Sequence, residues 1–239
     1  MYGSCEGAEM LMQNRMKNMM IDFRFWVRDN TINRELRKNV KVENISIIAS
    51  DCIGGVLYKA LHHRMDSPTI NMFFSAPDFI KFCENLDDYL GKEIVCDTEA
   101  NPDCQYPVGM LGDLKLHLMH YGSVEEAAEK WEIRKKRIHK DSMHFMMNDR
   151  NGCTEKEIAA FDALPFQNKV IFTHKPYPQY PSAFYIPGSE QDGFIKTNTS
   201  YVGKLSINRR YDYFDIASWL NEGIRKKKCR NCMMKRERQ

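Results

Sequence analysis

The sequence predicts an α/β fold: a mixed, largely parallel sheet flanked by helices, with an N-terminal amphipathic helical segment ahead of it. Three observations predict it. Short apolar, β-branched runs alternate with stretches of helical spacing from residue 45 onward. The run 45–58 passes from Ile45-Ser46-Ile47-Ile48-Ala49 through Ser50-Asp51-Cys52 into Gly54-Gly55 and a helical apolar pattern, which reads as strand, tight turn, helix. Two capping-box signatures, Ser123 with Glu126 and Thr154 with Glu157, each open a helix.

The elements follow in chain order. Residues 10–41 carry Met16, Met19, Met20, Phe23 and Val27 at helical spacing with arginines between them, predicting one or two amphipathic helices. Such a basic amphipathic helix either lies on a membrane or docks its Met stripe on its own domain; Asp22 and Asp29 interrupt the basic face and favour docking. After the first strand and helix, the run 70–74 predicts a short strand. A helix follows from Ala76-Pro77-Asp78 to Leu90, with Pro near its start and Gly91 past its end. Residues 97–107 form a polar loop. The stretch 114–120 alternates as a half-buried strand does, and the helix opened by Ser123 runs through Trp131 to Ile138. Strands are predicted at 144–147, 170–173 and 183–186, helices after Thr154 and over 215–223, and Asp149-Arg150-Asn151-Gly152 as a turn. The expected organisation is a helical segment over 1–44, one α/β domain over 45–223 and a basic tail over 224–239.

Composition narrows the classes. A chain of 239 residues with 43% hydrophobic residues can bury a sizeable core, which excludes disordered and fibrous classes. No window of about 18 residues is free of charge, so no membrane span is expected and the predicted location is cytoplasmic. Eight scattered cysteines lack a small-domain disulfide framework and point to free thiols, with Cys96–Cys104 the alternative pairing. From Ile224 onward there are eight Lys or Arg against one Glu, a local +7, which leaves −4 for the remainder of a chain with net charge +3. A tail of that kind suits peripheral contact with an anionic membrane surface at the inner membrane face. The acidic remainder argues against a nucleic-acid partner.

The turn at 50–55 is the first candidate site. Helix N-termini expose unpaired amides and a positive dipole end, so Ser50, Gly54 and Gly55 are candidates to hold a phosphate or carboxylate. The two glycines equally suit close packing of the helix on the sheet. Asp51 is a candidate base, or a turn former bonding local amides. Cys52, a thiol at a helix start, is a candidate nucleophile, or an inert buried thiol. The histidines group as His62-His63, His117 with His120, and His139 with His144; the spacing of His117 and His120 on one strand puts them on opposite faces, against a shared metal. His120 is the candidate acid or base. Arg134 and Arg137 on the helix after Trp131 can grip phosphate, or form a solvated helix end. Neither Asp149-Arg150-Asn151-Gly152 nor Cys229-x-x-Cys232 completes a metal site, so no metal is expected and no cofactor is assigned.

An ordered series of motifs then carries a resemblance: Ile47-Ile48-Ala49-Ser50-Asp51-Cys52-Ile53-Gly54-Gly55, Ser67-Pro68-Thr69, Pro77-Asp78-Phe79-Ile80-Lys81-Phe82, Tyr106-Pro107-Val108-Gly109, His120-Tyr121, the Trp131–Arg134–Arg137 spacing, and Trp219-Leu220-Asn221. Over roughly residues 45 to 222 the chain resembles a bacterial family assigned to exopolysaccharide biosynthesis, a domain of unknown biochemical activity. It departs from that pattern at Asp51, where Asn is expected. The resemblance implies a place in exopolysaccharide or capsule assembly. Joined to the candidate site, it leads to an expected transferase using a nucleotide-activated sugar or glycan precursor. The alternative is a non-catalytic accessory protein that binds such precursors or recruits enzymes to the membrane.

Overall fold

In the computed structural model, residues 4–99 and 104–222 are described. Helices α1 (Ser4–Asn30) and α2 (Ile32–Asn39) precede β1 (Ser46–Ala49) and α3 (Ile53–Leu61). Then come α4 (Ala76–Glu84), α5 (Leu86–Leu90), and strands β2 (Ile94–Cys96), β3 (Val108–Leu111) and β4 (Leu114–His117). The second half alternates α6 (Val124–Lys135), β5 (Met143–Asn148), α7 (Glu155–Ala163), β6 (Lys169–Thr173) and β7 (Ala183–Tyr185), and a helix covers 216–222.

The main sheet has the order β1-β5-β6-β7, every neighbouring pair parallel. A separate antiparallel sheet, β2-β3-β4, turns at Gly112, whose φ of 63° suits a two-residue hairpin loop. Period-2 geometry splits the main sheet's side chains into two cores. Ile48, Phe145, Met147 and Ile171 pack with α4, α7, Trp131 of α6 and the small sheet. Ile47, Ala49, Met146, Val170 and Phe172 pack with α3 and the 216–222 helix on the other face. Burial on both faces is what a parallel sheet requires of continuous apolar strands such as β1.

Five local expectations are corrected. The run 70–74 is not a strand but a strap. Ahead of it Thr69 Oγ1 accepts the Ala49 amide at 3.0 Å, the chain bends at Asn71 (φ 65°), and Phe73 exchanges two backbone bonds with His117 of β4. Pro68, which has no amide hydrogen, and the Asn71 bend keep this apolar run from pairing continuously with β1. Strand β4 stops at His117, so His120 lies in the turn beyond it rather than on the same strand. The helix expected over 76–90 breaks at Asn85 into α4 and α5, and α6 ends at Lys135 instead of Ile138. Capping of α6 is shared: Ser123 Oγ accepts the Glu126 amide, while the Glu126 carboxylate accepts the Gly122 amide, one residue earlier than a capping box needs. At α7 the full box forms between Thr154 and Glu157.

The N-terminal segment is helical, yet it does not dock through Met16, Met19 or Met20. Arg28, 1% exposed, reaches both carboxylate oxygens of Asp212 (2.6 and 2.8 Å), the Tyr211 hydroxyl and the Ile207 carbonyl. Arg24 donates to the carbonyls of Gly203 and Ser206 and lies over the Tyr201 ring. A bidentate guanidinium–carboxylate pair has the directional strength to hold a helix that offers the body little apolar area. Met16, Met19, Met20, Phe23 and Trp26 remain exposed. The expected tail over 224–239, with Cys229 and Cys232, lies outside the described residues. Cys52, Cys83, Cys96, Cys104 and Cys153 are free thiols.

Candidate functional site

In an open parallel sheet the strand C-termini all face one edge, where loops leave room for a ligand. Here that edge gathers Ser50-Asp51-Cys52 after β1, Asn148-Asp149-Arg150-Asn151 around the end of β5, and His174 after β6. A cleft of about 160 Å³ opens beside it, lined by Asp51, Cys52, Phe73, His120, Arg150 and Thr197 among others.

Asp51 is fixed from two directions. Its Oδ1 accepts the Ile53 amide at 2.9 Å, closing the Asx turn that starts α3, and its Oδ2 accepts the Asn148 side-chain amide at 2.6 Å from the neighbouring strand. Desolvation pushes the carboxyl above its ordinary value, against the Ile53 amide and the Arg150 charge, which pull it down. Cys52 caps the same helix without a side-chain bond. Burial, with the adjacent Asp51 carboxylate, pushes its thiol up to about 11, so the helix start does not produce a thiolate near neutral pH.

Arg150 donates to the Lys196 carbonyl and to Asn151 Oδ1 at 3.2 Å, which places a guanidinium at the cleft between the ends of β1 and β5. Asn151 (φ 57°) and Gly152 (φ 82°) both adopt the left-handed conformation that lets the chain reverse there. Phe73 forms an aromatic wall. It stacks on His117 at 4.2 Å with planes 4° apart, and Tyr106 meets its edge at 5.9 Å. Burial and the nearby Lys115 hold the His117 imidazole below its ordinary value, so it backs the wall as a neutral ring.

Beside the cleft, Asp149 is 3% exposed and fully bonded. Its Oδ2 accepts both the His174 amide and His174 Nδ1 at 2.6 Å, and its Oδ1 accepts the Ile195 amide at 2.8 Å. This fixes the His174 ring with Nδ1 turned to the carboxylate and binds the 195–199 loop, which supplies Thr197 and Thr199 to the cleft.

Three sequence-predicted residues, Asp51, Cys52 and His120, meet at the cleft; His120 is exposed on its rim. Five do not. Ser50 is buried and spends its backbone on Met146 and Phe74. Gly54 and Gly55 lie within α3 as close-packing positions: a Cβ on Gly54 would stand 3.3 Å from Ala49 Cβ, and one on Gly55 3.4 Å from Ile70 Cγ2. Arg134 donates to the Tyr121 hydroxyl at 2.7 Å, which in turn donates to the Ile70 carbonyl. Arg137 lies two residues before His139, whose amide bonds Ser46 at the start of β1, the opposite end of the sheet. Sequence reasoning missed Asn148, Asp149, Arg150 and His174. The available signal was position: each lies within three residues after the end of a predicted strand. Among the described residues no group of three His, Cys, Asp or Glu side chains is placed to hold a metal ion, and no helix is long and apolar enough to cross a membrane.

Two comparisons bear on identity. A relative from Haemophilus influenzae, named "Uncharacterized protein", is 42% identical over 190 residues, covering 80% of this chain and 90% of the relative. Residues 24–221 match the family described as Domain of unknown function (DUF1919). That match spans β1, the strap, the cleft and all but the last described residue of the 216–222 helix, and the chain therefore belongs to the DUF1919 family.

Proposed function

We propose that the protein is a group transferase of exopolysaccharide or capsule assembly, acting at this cleft on a nucleotide-activated sugar or another phosphate-bearing glycan precursor. The observation that carries the reading is that a desolvated carboxyl, Asp51, and a guanidinium, Arg150, line one cleft at the C-terminal edge of a parallel sheet. Asp51 as carboxylate takes the proton of the acceptor hydroxyl as its oxygen attacks the anomeric carbon. The bond from that carbon to the phosphate oxygen breaks, and the negative charge gathering on the leaving phosphate meets Arg150. A raised carboxyl pKa makes the stronger base, and the Asn148 amide orients it. Phe73, backed by His117, offers a flat face for a sugar or base ring, and Thr197 and Thr199 offer hydroxyls.

A nucleotide-activated donor places the protein in the cytoplasm, with the basic tail available for contact at the inner membrane face. The chemistry is tested by a thermal-shift screen of nucleotides and nucleotide sugars, followed by a transfer assay with the donor that binds. The expected result is a rise in Tm that Arg150→Ala abolishes. Transfer should then fall by about 10²–10⁴-fold in Asp51→Asn with donor binding retained. No shift with any nucleotide or nucleotide sugar sinks the reading. Binding without turnover in the wild type converts it to the accessory role of holding precursors.

A further inference from the structure

Soluble domains rarely leave large apolar side chains exposed as a contiguous group. Helix α1 does so between Met16 and Trp26: Met19 and Phe23 are each 65% exposed and Trp26 61%, with Met16, Met20, Ile21 and Phe25 at half or more. The body holds this helix through Arg24 and Arg28 near its C-terminal end, and Phe23 and Trp26 stack on one another. The family match begins at residue 24, so Met16, Met19, Met20 and Phe23 lie outside the region shared with the family.

The pattern identifies what covers the helix. Met16, Met19, Phe23 and Trp26 are spaced 3, 4 and 3, the alternation that keeps a seam on one side of a helix facing another helix. Ile21 and Phe25 occupy the far flank, with Phe23 and Phe25 about 160° apart around the axis. An interfacial membrane helix needs one apolar face opposed by a charged one. Here apolar residues lie on two sides with exposed Asp22 between them. A helix apolar on two sides is one that proteins bury.

We propose that the seam of α1 packs against α1 of a second copy of this chain, making the protein a homodimer through its N-terminal helix. The area is sufficient. At ~100–150 Å² for each of Met16, Met19, Met20, Phe23 and Trp26, two copies remove roughly 1,000–1,500 Å² from water, a range that spans the lower bound of about 1,200 Å² for specific interfaces. A second copy brings a folded body as well as a helix, so it can also cover Ile21 and Phe25.

The test uses the full chain in analytical ultracentrifugation, over a dilution series from tens of micromolar to nanomolar. The expected wild-type result is twice the chain mass at high concentration. The double variant Met19→Glu, Phe23→Glu should raise the dissociation constant by at least about 100-fold while the circular dichroism spectrum stays unchanged, because both side chains are exposed in the single chain. Trp26 gives an independent readout. Trp131 and Trp219 are buried in the core, so a red shift of emission on dilution reports exposure of Trp26. A wild-type monomer throughout the series overturns the proposal, as does a dimer that survives the double variant. A monomer that binds anionic phosphatidylglycerol vesicles through Trp26 overturns it in favour of a membrane surface.

Discussion

The two ends of the main sheet carry the same pair of residue types in opposite circumstances. At the strand C-termini Asp149 holds His174; at the strand N-termini Asp66 meets His139 Nε2 at 3.0 Å. Asp66 is also gripped by Arg64 at 2.7 and 3.1 Å, and its backbone carbonyl accepts the Ser46 hydroxyl. Arg64 and His139 together hold the Asp66 carboxyl below its ordinary value, overcoming the desolvation that works the other way. That cluster is a fastener, and its charges are spent on one another. At the other end Asp149 is held mainly by backbone amides and Asp51 by an amide and an asparagine, so Arg150 faces a cleft rather than a carboxylate partner. An Asp–His pair therefore marks a site only by its place relative to strand direction.

The comparison breaks at its strongest point if Asp51→Asn leaves the proposed transfer intact, since the expected loss is about 10²–10⁴-fold at nearly unchanged Tm. Next in size, Asp149→Ala removes the acceptor for two backbone amides and a ring nitrogen in a nearly closed site. Urea unfolding should show a loss of about 3–5 kcal/mol, and a value under 1 kcal/mol would mean the 195–199 loop is not held from Asp149. His144 supplies the pH dependence. Buried on β5 against Trp219, its imidazole is driven by desolvation down to about 4 from the ordinary 6.5. A base with a depressed folded pKa leaves the unfolded chain binding more protons between those values. Stability should thus fall by about 3 kcal/mol as pH drops from 6.5 to 4, and His144→Gln should flatten that slope. The smallest effect belongs to Asp66→Asn. With a lowered folded pKa, Asp66 contributes stability above its unfolded pKa that is lost as pH falls through the folded one. The variant should match wild type in acid, fall below it at neutral pH by less than Asp149→Ala does, and leave the proposed transfer unchanged.

Local signals carried most of the architecture. The β1–turn–α3 unit, strands β5 to β7 and the Thr154 cap are written in contiguous residues whose neighbours along the chain are also neighbours in space. The strap at 70–74 failed because an apolar run says nothing about which edge will accept it, and tertiary pairing with β4 overrode its strand pattern. Strands β2 and β3 passed unnoticed because one is three residues long and the other begins next to Pro107. For the site, Asp51 was legible from its turn. Arg150 and Asp149 were hidden inside a turn signal, and Asn148 and His174 needed the strand order β1-β5-β6, a long-range property. Arg134 and Arg137 drew attention as a charge run, yet one is consumed by Tyr121 and the other sits toward the wrong edge.

Strand β1 lies at the border of the main sheet, where unpaired amides usually invite a foreign strand and hence aggregation. Here the Tyr58 hydroxyl takes the Ile47 amide at 3.0 Å and returns its proton to the Ile45 carbonyl at 2.9 Å, while Thr69 takes the Ala49 amide. Three hydrogen bonds to two hydroxyls thus do the sealing that another strand would do. The strand that carries Asp51 to the cleft is closed to intruders while the turn at its end stays open to a ligand.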